Sequence, residues 1–238
     1  MIEYGAATVG KPDDGHMVAV DFRSPRFDGG IVTRVDSIPF GIVVNKYGER
    51  FYDEGEDLWP KRYAIWGKLI AKQPSQTAFS IFDSKVWGLF IPPFQPPISA
   101  GTIEELATKL VNFGLEKPDK LVETIQEFNK ASIHNKNPDY TTLDGLSTRG
   151  ISPPKSNWAL PIDKPPFYAY PLRPGLTFTY MGLKVDEKAR VIHINGNPFD
   201  NIFACGEIMS GNILSNGYLG GLGLVIGTVF GWTAGENI

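Results

Sequence analysis

The sequence predicts an α+β chain, and three observations carry that expectation. Strand-like apolar runs crowd the first third. Two amphipathic helices fill the middle. The last part reads strand, glycine loop, helix. The order is not the regular strand–helix alternation of a parallel sheet, and neither a repeat nor a coiled-coil heptad interrupts it.

Residues 1–36 mix short apolar runs with loops. Residues 38–54, "IPFGIVVNKYGERFYDE", predict a buried strand, a turn at Tyr47-Gly48 and a second strand. Residues 59–73 have helical periodicity, with Pro60 in the first turn, where its missing N–H is harmless. "TAFSIFDSKV" predicts another strand and "LFIPPFQPPISAG" a proline-rich loop. Residues 102–111 form a helix opened by a capping box, Thr102 with Glu105. Residues 118–135 form another, with Leu121, Ile125 and Phe128 on one face. Residues 136–168 are loop-like and rich in proline. "FTYMGLKVDEKARVIHINGNPFDNIFACGE" predicts two strands around "DEKAR", a turn at "NGNP" and a buried strand ending at Gly206. A glycine loop and a closing helix make up the last 20 residues. The two ends read as one layer, with the middle inserted as a cap.

Composition narrows the function. Hydrophobic residues are 42% and charged residues 21%, ordinary for a soluble globular chain. A net charge of −3 argues against a broad nucleic-acid or membrane surface. Cys205 is the single cysteine, so an intramolecular disulfide is impossible, and a reducing cytoplasm is the simplest setting. Three scattered histidines and one cysteine do not make a zinc or haem site, so no metal is expected. The N-terminus lacks the basic-then-apolar pattern of a signal peptide. The longest apolar run, Leu219–Trp232, falls short of the roughly 20 residues that a spanning helix needs, so no transmembrane segment is expected. Within it Gly223, Gly227, Gly231 and Gly235 recur every fourth residue, which predicts a glycine face lying close against a backbone or a ligand.

The same run begins "GYLGGLGLVIG" and approaches a dinucleotide fingerprint. That motif needs a second strand with an acidic residue about 20 positions on. The chain ends too soon after Gly227 for one, so this is not a dinucleotide-binding entry. Two readings stay open. Gly220, Gly221 and Gly223 let the backbone approach a flat ligand, at which a helix starting near Leu222 points N–H groups and a partial positive charge. The plainer reading is a turn that packs a terminal helix on a sheet.

"NIFACGEIMSGNILSNGYLGGLGLVIGTVFGWTAG", the hairpin "GLKVDEKARV" and the upstream "GIVVNKYGERFYDEGED" resemble, in this order, the flavoprotein family of fumarate reductase and succinate dehydrogenase. The segment from "FDGGIVTR" to "WGKLIA" is similar to the members that dehydrogenate tricarballylate. The resemblance implies a substrate-capping domain over 37–165. It also implies parts of an FAD-binding domain over 1–36 and 166–238. The implied reaction passes a hydride from a CH–CH bond of a tricarboxylic acid to FAD, giving cis-aconitate, and electrons leave to a separate acceptor protein. Another unsaturated acid or a steroid-like compound is the alternative substrate. The family's glycine fingerprint for the FAD pyrophosphate is missing, so this chain alone is expected to hold FAD weakly or not at all, and a non-catalytic fragment is the rival reading.

Roles carry over by position. Gly206 and Glu207 stand at the family's "GE" pair near the cofactor, and Gly221, Leu222, Gly223 and Leu224 at the stretch that meets the flavin ring. Tyr218 replaces a substrate arginine, Thr177 and Phe178 replace paired histidines, and "DFRSPRFDGG" lacks the family's His-Pro-Thr. Tyr218 and Tyr180 offer phenols for hydrogen bonding or proton transfer, with core packing as the alternative, and Thr179 lies beside them. Thr33 matches a substrate threonine. Arg34 replaces the following acid, which suits a third carboxylate. Arg62, or else Lys61, stands for the catalytic arginine, steadied by some of Asp53, Glu54, Glu56 and Asp57.

Overall fold

The computed structural model describes residues 1–27, 32–134 and 136–238. Residues 28–31, inside the "GGIVTR" stretch, and residue 135, the end of the expected 118–135 helix, lie outside the described residues. In chain order the elements are β1 (Thr8–Val9), β2 (Gly15–Asp21), β3 (Ile42–Asn45), α1 (Trp59–Arg62), α2 (Trp66–Ala71), β4 (Ala78–Asp83), β5 (Ile98–Ala100), α3 (Ile103–Leu110) and α4 (Pro118–Ala131). There follow β6 (Phe167–Thr179), β7 (Gly182–Leu183), β8 (Arg190–Ile192), β9 (Pro198–Phe203) and α5 (Leu222–Glu236). The α+β expectation holds.

Compactness divides the chain into a smaller unit of Met1–Met17, Pro60–Ile65 and Leu176–Ile238 and a larger one of Val18–Trp59 and Trp66–Gly175. These limits differ from the sequence boundaries at 36/37 and 165/166. The difference lies in residues 18–36 and 166–175, which go with the larger unit, and in Pro60–Ile65, which goes with the smaller one.

The larger unit's sheet runs β2-β6-β4-β3, with β5 also paired to β6. Every residue of β3 and β4 is buried, so both strands are apolar on both faces apart from the buried Asn45, Ser80 and Asp83. Ile42, Val44, Phe79 and Ile81 pack with Leu106 and Leu110 of α3 and Leu121, Ile125 and Phe128 of α4. Each such side chain contributes about 1.5–3 kcal/mol by leaving water. Thr102 Oγ1 accepts from Glu105 N at 3.1 Å, as the capping box requires. The return bond from the Glu105 carboxylate goes to Gly101 N at 2.9 Å, one residue earlier than the motif's usual target.

Three elements depart from expectation. The second strand of 38–54 does not form beyond a single bridge, Val44 to Arg50. Glu54 turns its carboxylate inward to accept from Val43 N at 2.8 Å and from Arg50, so a side chain takes the place of a ladder. The 59–73 helix breaks into α1, a 3-10 turn at Tyr63–Ile65 and α2. The loop expected over 136–168 holds as far as residue 166, but the 13-residue β6 that follows it is missed, because Pro171, Pro174 and Gly175 mask a strand in the sequence.

Lys155 is 1% exposed and donates to Pro39 O at 2.7 Å and Gly41 O at 2.6 Å. Loss of hydration pushes its pKa down to about 8, against the pull of Glu54.

In the smaller unit β1 pairs with β7 and β8 with β9. Ala6, Tyr180, Leu183, Val191, Met209, Leu214 and Ile226 build its core. β9 is half-buried at both ends and exposed at Asp200 and Asn201 instead of forming the buried strand the sequence predicts. α5 forms as expected and is apolar round its whole circumference, yet only Ile226 and Ala234 are buried. Leu224 is 81% exposed and Trp232 70%. No described helix is long and apolar enough to cross a membrane.

Candidate active site

The smaller unit gathers an imidazole and several phenols at the start of α5. Helix N-termini leave N–H groups without intrahelical partners, and a short polar side chain normally takes one of them. Here the N-cap is Gly221, in the left-handed region at φ 90°, so the cap comes from elsewhere. Gly223 N donates to the Tyr218 phenol oxygen at 2.9 Å. The phenol accepts from the helix and keeps its own proton to donate. The sequence predicts N–H groups turned to a ligand at this helix start; one of them is spent on Tyr218.

His16 sits on β2, 7% exposed. Its Nδ1 pairs with Thr177 Oγ1 and its Nε2 with the Tyr63 hydroxyl, each at 3.0 Å. The ring stacks on Phe178, with centroids 5.4 Å apart, and meets Tyr218 edge to face at 4.4 Å. Sequence reasoning finds the family's paired histidines replaced by Thr177 and Phe178. The fold returns an imidazole to those same two residues from another strand. Neither His16 nor Tyr63 stands out in the sequence; they lie 47 positions apart, and only the fold joins them.

Tyr180 is 2% exposed, within the core, and its hydroxyl has no hydrogen-bond partner among the described residues. Burial first, then the nearby Tyr218 and Tyr63, push its ionisation above the ordinary range. Thr179 is exposed. Arg62 ends α1, half-buried, immediately before Tyr63, while Lys61 is exposed.

Other expected residues lie in the larger unit. Thr33 is buried. Arg34 forks onto Asp36, Nε to Oδ1 and Nη2 to Oδ2, both at 2.7 Å. Asp53 accepts from Gly55 N and Ser156, and Glu54 grips Arg50. These two carboxylates steady the larger unit's own loops and Arg50.

The glycine stripe of α5 meets the described chain only in part. Among the described residues no atom lies within 4 Å of where a Cβ on Gly227 or Gly235 would stand, so neither marks a close backbone approach. Gly223 does, with the Tyr218 hydroxyl 3.1 Å from that point.

Among the described residues no group of three or more His, Cys, Asp or Glu is placed to hold a metal ion. A flat ring system with one polar edge fits better. Gly206, at φ 77°, and Gly221 both face open space where a side chain would stand. Leu222, Gly223 and Leu224 follow along the helix start, and Glu207, exposed, follows Gly206. The exposed Leu219, Leu224 and Val225 supply apolar surface, and the half-buried Tyr218 supplies a hydroxyl at its edge. Those residues fit a flavin.

Residues 17–224 match the FAD binding domain family. The chain is 31% identical to an NADH:acrylate oxidoreductase of Vibrio harveyi over 82% of its own length and 18% of the relative's. It is 33% identical to a fumarate reductase of Schizosaccharomyces pombe over 82% of its length and 35% of the relative's. A 3-ketosteroid Δ1-dehydrogenase from Sterolibacterium denitrificans, solved with 1,4-androstadiene-3,17-dione, superposes with a TM-score of 0.68 at 21% identity, over 99% of this chain and 44% of that one. The chain thus spans well under half the length of each of these proteins. The chain belongs to the FAD binding domain family, among flavoproteins of the fumarate reductase and succinate dehydrogenase type, and the cofactor of that family is FAD.

Proposed function

We propose that this chain serves a flavin-dependent oxidoreductase that interconverts a CH–CH bond and a C=C bond beside a carboxylate, with tricarballylate and cis-aconitate as the pair. The observation that carries the reading is the Tyr218 phenol held by Gly223 N–H at the open start of α5. Bound FAD supplies the two-electron acceptor or donor that the reaction needs. The residues supply the rest. A carboxylate next to the reacting bond gathers negative charge as the neighbouring proton leaves, and fixed donors stabilise that charge. Tyr218 O–H is such a donor, aligned by the helix N–H behind it. Thr179 and Tyr180 flank it. The segment 60–65 brings Arg62, whose guanidinium binds a carboxylate and supports proton transfer. In this reading Thr33 and Arg34, in the 1–36 part of the FAD-binding domain, contact the remaining carboxylates, and 37–165 is the capping part. Gly206, Glu207 and Gly221–Leu224 line the cofactor, and a separate protein takes the electrons.

A second reading follows from the phenols. Tyrosines stand where the fumarate-type site has arginine, and Arg34 is already forked onto Asp36. Both favour a substrate with fewer carboxylates, an unsaturated monocarboxylic acid or a ketone. The relative named for acrylate points the same way.

Titrating FAD into the purified chain, followed by flavin fluorescence and melting temperature, tests the core of the reading. Weak saturable binding with a raised melting temperature is expected. Dye-linked turnover with tricarballylate, acrylate and a 3-ketosteroid then sorts the substrates. No binding at millimolar FAD would select the non-catalytic reading for this chain alone, and turnover of acrylate or steroid alone would select the second reading.

A further inference from the structure

We propose that Tyr63 is the residue that exchanges a proton with the substrate and that His16 is the positioning residue that aims it and resupplies that proton. The inference rests on the function proposed above and gives to Tyr63 the proton that the family resemblance would give to Arg62. A phenol loses its proton only near pH 10 and is a weak acid or base unless a partner shares the proton. Tyr63 has such a partner in His16 Nε2, at 3.0 Å. The imidazole has little room to turn. Thr177 Oγ1 fixes its other nitrogen at 3.0 Å, Phe178 lies parallel to one face, and Tyr218 stands against it at 90°. A buried histidine bonded at both nitrogens and packed by rings is a costly arrangement for structure alone, because each buried polar atom needs its partner to be made.

The path balances in protons. As substrate is protonated, the Tyr63 O–H bond breaks while a C–H bond forms, and the Nε2–H proton of a doubly protonated His16 moves to the Tyr63 oxygen. The neutral imidazole keeps its Nδ1–H on Thr177 Oγ1. In the other direction the proton retraces this path. The titratable groups round the pair are Tyr180 and Tyr218, then Asp13 and Asp14 in the turn before β2, and Arg62, the chain neighbour of Tyr63.

Two measurements test the inference. The first needs no cofactor: nitrogen NMR of the histidine side chains in the 238-residue chain, against Tyr63→Phe and Thr177→Val. Both variants should shift the His16 nitrogens and its titration midpoint while His134 and His193 stay put. An unmoved His16 signal in Tyr63→Phe overturns the pair. The second is dye-linked turnover in the FAD-loaded chain. Tyr63→Phe should lower kcat about 100-fold or more with KM nearly unchanged. His16→Gln should lower kcat less and move the pH profile, whereas Arg62→Lys should act mainly on KM. A Tyr63→Phe variant with the activity of the parent overturns the inference, and a kcat collapse in Arg62→Lys alone gives the proton to Arg62 while the proposed function stands. Absence of turnover in the parent with every acid and ketone overturns the proposed function and the relay with it, and the NMR result still decides whether the Tyr63–His16 bond exists.

Discussion

Glu54 accepts from the Val43 N–H and from the guanidinium of Arg50, with its side chain out of contact with water and that of Arg50 only 5% exposed. A buried ion pair often adds little net stability, yet removing one partner strands the other charge. Glu54→Gln should therefore destabilise the chain by about 3 kcal/mol in urea unfolding. Replacing Arg50 and Glu54 together by Met and Leu should do less harm than the sum of the two single changes. A loss under 1 kcal/mol in Glu54→Gln would show that the carboxylate is not the anchor. At this scale the sequence reveals the presence of acids near an arginine, but not which arginine. Charge runs carry no address, and Arg50 lies one helical turn's spacing away, before a helix has formed. Tyr218 is legible because it stands beside the glycine loop. His16 and Tyr63 are not, since a lone histidine in "GHMVAVD" looks like any residue on an alternating strand.

Among the elements, α3 was readable from its period and capping box, α4 from its period and the proline in its first turn, and α5 from the apolar run after the glycine loop. β6 was not, because two prolines argue locally against a strand that its neighbours on the sheet impose. The β3 turn shows the same contest settled by one atom. Gly48 has φ 75°, and a Cβ there would stand 2.6 Å from Leu121 N. Thr124 Oγ1 donates to Gly48 O at 2.7 Å, so turn and helix α4 are fitted to each other. Gly48→Ala meets both a left-handed backbone and a backbone clash, and a loss of more than about 2 kcal/mol is expected from thermal or urea unfolding. A near-neutral result would mean that the turn moves away from α4 without penalty.

For the whole molecule, pH sets opposing pressures. Folding lowers the pKa of Lys155 from 10.5 to about 8. Between those values the unfolded chain binds more protons, so this residue makes stability rise as pH rises from about 8 to 10.5. The Tyr170 phenol, pushed up to about 12 from 10.0 mainly by burial, acts oppositely. Above pH 10 the unfolded chain gives up that proton first, and stability falls. The melting temperature should climb from pH 8, pass a maximum near about 10 and then drop. Lys155→Met should melt lower throughout and lose the climb. A parent chain whose melting temperature is flat or falling from pH 8 to 10 would contradict this account.

α5 also gives the protein an optical reporter. Trp232, 70% exposed on an apolar helix, has its indole in water, and its emission should lie at the red end of the tryptophan range. Whatever comes to cover this face, a flavin or another polypeptide, must move that emission to the blue, and a flavin must also quench it by energy transfer. Trp232→Phe should weaken the red component, which Trp87 at 46% exposure shares, while the buried Trp66 and Trp158 continue to emit at shorter wavelength. A titration read at both colours then tells a ligand that quenches from a partner that only dries the surface.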